Sequence, residues 1–228
     1  TWVNRGAINT AVAGLDGTVW THNGIRYFLY SGYGNWPDYG SAVYIARMSN
    51  PWTLTGTQVV LAQPTAAWEK VGGMAINEGP APLVHGSRMY MVFSAGACWS
   101  DDYSLGMLSA NVSSDPMVRA NWTKSSGPVF AKGNGVYAPG HNSFVKSPNG
   151  VEDWIVYHGN SAAGQGCGTN RHTRTQKVNW NGDTPVFGAP LVTNITKPAG
   201  EPTGDPGPVQ RWESFNFPGY FIRHMNSR

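Results

Sequence analysis

Three polar residues recur at one spacing in a chain otherwise poor in charge. Asp16 lies eight residues before Gly24, Glu78 eight before Gly86, and His141 nine before Gly150. Each glycine closes a turn, in His22-Asn23-Gly24, His85-Gly86-Ser87 and Ser147-Pro148-Asn149-Gly150. Residues at one distance from the turns of successive repeats occupy equivalent places, so this spacing gathers two carboxylates and an imidazole about one point. Two carboxyl groups on a polar axis can divide acid and base work. One, kept protonated, gives its proton to a departing glycosidic oxygen, while a base delivers water from the opposite face. Innermost strands also carry polar residues that only bind channel water, so the spacing leaves that plainer role open.

Other chemistries fail on spacing. There is no H-E-x-x-H or C-x-x-C for zinc, no G-x-S-x-G for an acyl-transfer serine, and no glycine loop before a helix to cradle phosphate. The remaining carboxylates sit in turns or loops, where aspartates serve the turn itself. Asp101 and Asp102, beside Trp99, are the two placed where they could touch a substrate.

The elements that must hold these residues are strands. Glycines 24, 86 and 150 lie 62 and 64 residues apart, and each is followed by an aromatic-rich run: Ile25–Tyr30, Met89–Phe93 and Asp153–Tyr157. Third strands follow at Ala42–Arg47 and Leu105–Ser109, and nothing reads as a long helix. Charged residues are 13% of 228, hydrophobic ones 40%, with 29 Gly, 16 Pro and 10 Trp. That composition disfavours a helical bundle and suits short strands joined by tight turns. The pattern predicts an all-β fold, a partial β-propeller with about three blades present, over residues 1–196, since at least four are needed to close around an axis. A small β-sandwich is the alternative. Trp122, Pro128 and Gly133-Asn134-Gly135 predict a loop between blades. Residues 197–209 have a Pro/Gly linker composition, and 210–228 are too few to fold alone. The chain is therefore expected to be truncated at both ends.

Cys98 and Cys167 make either one bridge or two buried thiols. Three sequons, Asn111-Val-Ser113, Asn121-Trp-Thr123 and Asn194-Ile-Thr196, with an even cysteine count, favour a secreted glycoprotein with one disulfide. No basic-then-apolar leader opens the chain and no run of eighteen apolar residues exists, so no membrane partner is expected. The net charge of +3 is scattered without the basic stripe that nucleic acid requires. A neutral, polar partner such as a sugar fits better, and a monomer is expected.

Asn77-Glu78-Gly79-Pro80, the run GACWSDDY at 96–103, Pro139–Phe144, Asp153–His158 and Arg171–Trp180, in this order, resemble glycoside hydrolase family 43, and within it the exo-acting α-L-arabinofuranosidases of the 1,5-arabinan type. The resemblance covers roughly residues 5–192. It implies a five-bladed propeller that inverts anomeric configuration on arabinan or arabinose-substituted hemicellulose such as arabinoxylan. By its motifs Glu78 is the general acid and Asp16, in Leu15-Asp16-Gly17-Thr18, the auxiliary carboxylate that tunes it. His141 faces an axial water or a structural calcium; no cofactor is required for the chemistry. Arg171, with Arg174 second, contacts substrate together with His158, and Trp99 is a stacking platform or a packing residue beside Cys98. The family's general base is an Asp of the first blade, which has no counterpart here. The tail string Asn216-Phe217-Pro218 to Ile222-Arg223-His224 is similar to the opening strands of the family 42 arabinofuranose-binding module, a β-trefoil. A lectin-like arabinan-binding propeller, or an inactive fragment of the enzyme, are the alternatives.

Overall fold

Met89–Phe93 is apolar at every position, the pattern of a strand covered on both faces. The computed structural model, which describes residues 3–34, 40–191 and Ala199, places it at the centre of the molecule. Strands β1 (Gly14–His22), β2 (Ile25–Tyr33), β3 (Ser41–Asn50) and β4 (Thr53–Ala62) form a first antiparallel sheet in that order. Strands β5 (Asn77–His85), β6 (Arg88–Ala95), β7 (Ser104–Asn111) and β8 (Thr123–Lys124) form a second. A third holds β9 (Tyr137–Lys146), β10 (Asp153–Asn160) and β11 (His172–Lys177), and β12 (Asn179–Asn181) pairs with β13 (Thr184–Val186) as a ribbon. Among the described residues the helical segments are two short 3-10 turns, Ala67–Gly73 and Arg119–Asn121. The fold is all-β.

Alternation along β6 divides the core. Met89, Met91 and Phe93 pack with Tyr27, Leu29, Val43 and Ile45 of the first sheet, while Val92 packs with Ile155, Tyr157 and Phe187 on the other side. Leu108 and Trp122 join the first cluster, and Leu105 and Phe130 the second. The expected loop from 122 to 135 differs in detail. Thr123–Lys124 pairs with β7, and Trp122 is buried, its indole N–H donating to the Pro116 carbonyl oxygen. A large ring with a satisfied N–H anchors a connection that composition alone marks as irregular.

Residue Glu69 shows how the approach to β5 is held. Its carboxylate is fully buried and accepts the backbone N–H of Thr65 and Ala66, the Asn77 amide and the Lys124 ammonium, all within 3.1 Å. A buried charge persists only with such complete pairing. The linker at 197–209, the tail at 210–228 and the sequon asparagine Asn194 lie outside the described residues, apart from Ala199. Asn111 and Asn121 are exposed.

Candidate active site

Strands β1, β5 and β9 each begin a sheet and lie beside one another, so their side chains meet. Each carries one extra residue at one register. Leu15 pairs with Ser31 and Thr18 with Leu29; Glu78 pairs with Ser94 and Ala81 with Val92; Gly140 pairs with His158 and Ser143 with Val156. The first residue of each bulge adopts positive φ: 54° at Asp16, 57° at Gly79 and 50° at His141. A bulge of this kind re-aims a side chain and is common beside active sites. Asp16 and His141 are therefore equivalent, as their spacing predicts, but the third member of the set is Gly79. Glu78 stands one place earlier, aligned with Leu15 and Gly140. Counting from the turn glycines misassigns it because Gly24 is the second residue of its two-residue loop and Gly86 the first, whereas Asp16 and Gly79 both lie six residues before the ends of their strands, His22 and His85.

The three residues nevertheless converge. Asp16 Oδ2 accepts the Ser31 hydroxyl at 2.7 Å and the Gly79 amide N–H at 3.3 Å, and Ser31 Oγ also accepts that N–H at 2.8 Å. His141 Nε2 lies 3.5 Å from Asp16 Oδ1, and its ring packs over Gly79, where a Cβ would stand 3.2 Å from it. Glycine is favoured at 79 on both counts, positive φ and the tight contact with the ring, though Asp16 and His141 also hold positive φ at their own bulges. One sheet further, the His141 N–H donates to Ser94 Oγ at 2.7 Å. Ser31 and Ser94, both fully buried, thus repeat one joint between adjacent sheets.

Burial is the largest influence on Glu78 and raises its pKa above the usual carboxylate value. The Tyr103 hydroxyl, donating to Oε1 at 2.6 Å, acts in the opposite sense. Asp16 raises the pKa further by like-charge repulsion, and His141 and Arg171 lower it. Tyr103 itself is completely buried. Desolvation and the Glu78 charge hold its phenol well above the ordinary range, so it remains a donor. Its ring lies parallel to His158, with centroids 5.7 Å apart.

The remaining predicted residues divide. Arg171 Nη1 lies 3.4 Å from His158 Nε2 and acts electrostatically on Glu78, so it belongs to the site. His158 is depressed to about 4 by burial and by the Arg171 and His141 charges, and it is neutral at ordinary pH. Arg174 is engaged elsewhere: it donates to the carbonyl oxygens of Gly159 and Leu191 and to Ser161 Oγ, stitching the edge of the third sheet. Trp99 is 51% exposed and its indole N–H donates to the Gly72 carbonyl oxygen, which fixes the ring with a free face. Cys98 and Cys167 are bridged, joining the β6–β7 loop that bears Trp99 to the β10–β11 loop that leads into Arg171. Asp101, a possible substrate contact by position, instead accepts the Gly164 N–H, and Asp102 pairs with Lys132.

Besides Glu78 and Asp16, every described carboxylate has a partner away from the acid. Glu69 holds Lys124, Asp115 Arg47, Glu152 Lys177, Asp153 Lys146, and Asp183 the Ser87 hydroxyl. Asp16 and His141 line an axial cavity of about 380 Å³ with Thr18, Asn142 and Ser143. Among the described residues no cluster of three or more His, Cys, Asp or Glu is poised for a metal. With Asp16 as its one carboxylate beside the His141 imidazole, and the oxygens of Thr18, Asn142 and Ser143 besides, the described lining is poorer in carboxylate than the shells that usually hold calcium. Tyr103, Ser31 and Ser94 carry no signal by residue type. Tyr103 ends the run GACWSDDY, and the two serines follow their turn glycines by similar intervals.

Residues 1–185 match the family model described as Glycosyl hydrolases family 43. The chain is 41% identical, over its whole length, to an extracellular exo-α-(1→5)-L-arabinofuranosidase of Streptomyces avermitilis, of which the alignment covers 46%. It is 34% identical over 86% of its length to α-L-arabinofuranosidase 43 of Humicola insolens, covering 42% of that protein. The crystal structure of an α-L-arabinofuranosidase from Lactobacillus brevis superimposes with a TM-score of 0.79 at 35% identity, over 86% of this chain and 62% of that one. The chain spans about half the length of the curated relatives it matches.

Proposed function

Since the chain belongs to the glycosyl hydrolases of family 43, we propose that it carries the acid half of an inverting α-L-arabinofuranosidase acting on arabinan or arabinose-substituted hemicellulose. The observation that carries this reading is Glu78: a half-buried carboxyl at the start of β5, raised in pKa chiefly by desolvation, and acted on by the Asp16 carboxylate. An acid raised in this way keeps its proton to higher pH than an ordinary carboxyl does and can give it as the furanosyl ring gains oxocarbenium character. Asp16, held by Ser31 and the Gly79 amide, supplies the charge that keeps Glu78 protonated before reaction. Arg171 and the flat face of Trp99 hold the sugar, with His158 positioned between Arg171 and Tyr103.

The base that activates water is assigned to a carboxylate outside the described residues, because each described one is committed elsewhere. The extracellular arabinofuranosidases among the relatives and the Cys98–Cys167 bridge support an exported protein. We read the three sheets as successive blades of a five-bladed propeller, and residues 210–228 as the start of an arabinofuranose-binding module joined through 197–209.

The test is Glu78→Gln in the active protein that contains this chain. Hydrolysis of unactivated arabinan should fall at least about 100-fold, the scale of losing a general acid. Arabinosides with excellent leaving groups should lose much less, because their departing oxygen needs little protonation. Equal losses on both would reject the acid assignment.

A further inference from the structure

Glu78 offers two oxygens to its surroundings, and the fold treats them differently. Oε1 receives the Tyr103 hydroxyl at 2.6 Å; among the described residues no hydrogen bond reaches Oε2. Tyr103 is held on every side. Its ring is fully buried, lies parallel to His158, and passes so close to Gly140 that a Cβ there would stand 2.3 Å from Tyr103 Cε1. Gly140 does not have positive φ, so contact with the tyrosine, not backbone conformation, is what demands a glycine. Ser94, whose Oγ accepts the His141 N–H, also hydrogen-bonds the phenol through its side chain.

Resting on the assignment of Glu78 as the acid, we propose that Tyr103 is a positioning residue for proton delivery: its hydroxyl occupies Oε1, fixes the carboxyl rotamer, and leaves Oε2 as the oxygen that carries the transferable proton. The Oε2–H bond breaks and its proton goes to the glycosidic oxygen, which leaves as an alcohol while base-activated water forms the new bond to the anomeric carbon. The electron pair left on the carboxylate is met at Oε1 by the Tyr103 hydroxyl, which keeps its own proton. The contact therefore strengthens as the reaction proceeds, because a hydrogen bond to a carboxylate is stronger than one to a neutral carboxyl. That is the property of an interaction that lowers a barrier instead of tightening ground-state binding.

Four groups besides Tyr103 bear on the charge of Glu78: Asp16 from β1, His141 from β9, Arg171 from the start of the β11 region, and His158, through Arg171, from β10. Tyr103→Phe leaves all four and removes one oxygen. On the full chain, titration of the Glu78 carboxyl carbon by NMR should then show a higher pKa than in the wild type. In the active protein, the alkaline limb of the rate profile should move up with it. The kcat on unactivated arabinan should fall about tenfold, the scale of one charge-assisted hydrogen bond, with KM little changed. Activated substrates should lose much less.

A Glu78 titration that does not move would overturn the proposal whatever the kinetics. A raised titration with equal losses on both substrate types would instead overturn the acid assignment, since the contact would then exist without serving proton transfer. Should the variant not fold, the wild-type chain gives the same answer. The Tyr103 hydroxyl proton should exchange slowly and its resonance should shift as Glu78 titrates. A hydroxyl signal that ignores the carboxyl would overturn the proposal.

Discussion

At Glu78 the electrostatic balance is set by groups that can be removed one at a time. Asp16→Asn deletes the like charge and should lower the Glu78 pKa. Because loss of the acid's proton forms the alkaline limb of the rate profile, that limb should move to lower pH, read from kcat/KM against pH in the active protein. The direction is opposite to that expected for Tyr103→Phe, so the two variants check one another. His158 titrates on the stability side. Its folded pKa is depressed from 6.5 to about 4, so the unfolded chain binds more protons between those values. Stability from this group is present above 6.5 and is lost as pH falls toward 4. His158→Gln should flatten that part of the stability curve, measured by urea midpoints across the range. At this scale motif and spacing pointed to Glu78, Asp16 and His141 as residues that come together, but not to the tyrosine or the serines. Tyr103 is 25 residues from Glu78 and Ser31 is 48 from Gly79, and nothing in a lone tyrosine or serine announces a partner that distant.

Strands were legible and their irregularities were not. Aromatic and β-branched runs after turn glycines mark β2, β6 and β10 directly, because a pleated, two-sided burial demands those residues. A one-residue bulge leaves no compositional trace, and it shifts everything beyond it by one place. The grouping of Glu78 with Asp16 has a separate cause: Gly24 is the second residue of its hairpin loop and Gly86 the first, so equal distances from the two glycines reach places one residue apart in register. The bulge in β5 makes a sharp prediction. Gly79→Ala places a Cβ at positive φ and against the His141 ring, and should cost about 1–2 kcal/mol from backbone conformation alone, read as a lowered denaturant midpoint with an unchanged slope. Glu69→Ala should cost more, about 3 kcal/mol, because it leaves the Thr65 and Ala66 N–H groups and the Asn77 amide short of an acceptor in the connection to β5, while the half-buried Lys124 ammonium keeps the Gln63 carbonyl and Thr65 hydroxyl.

Across the whole molecule, the Cys98–Cys167 bridge spans 69 residues and ties together the loops of two sheets. Reducing it should lower stability by up to about 4 kcal/mol on the chain-entropy scale, measured by denaturation with and without a thiol, and peptide mapping without reduction should recover the linked pair. The family resemblance puts the base on a first-blade Asp with no counterpart in this sequence, and on that reading the 228-residue chain by itself should release no arabinose, with activity following once a segment supplying a base is joined to it. Arabinose release by the purified chain, abolished by Glu78→Gln, would refute this. The repeated bulge bears on how such a protein can change. Asp16, Gly79 and His141 stand in three copies of one backbone socket, each shaped independently of what fills it. Two sockets hold side chains, and the third is left bare so that His141 can lean across it. New chemistry at the axis then needs only an exchange of occupants, with the sheets left as they are. Such a centre can be rewritten residue by residue without first unmaking the scaffold.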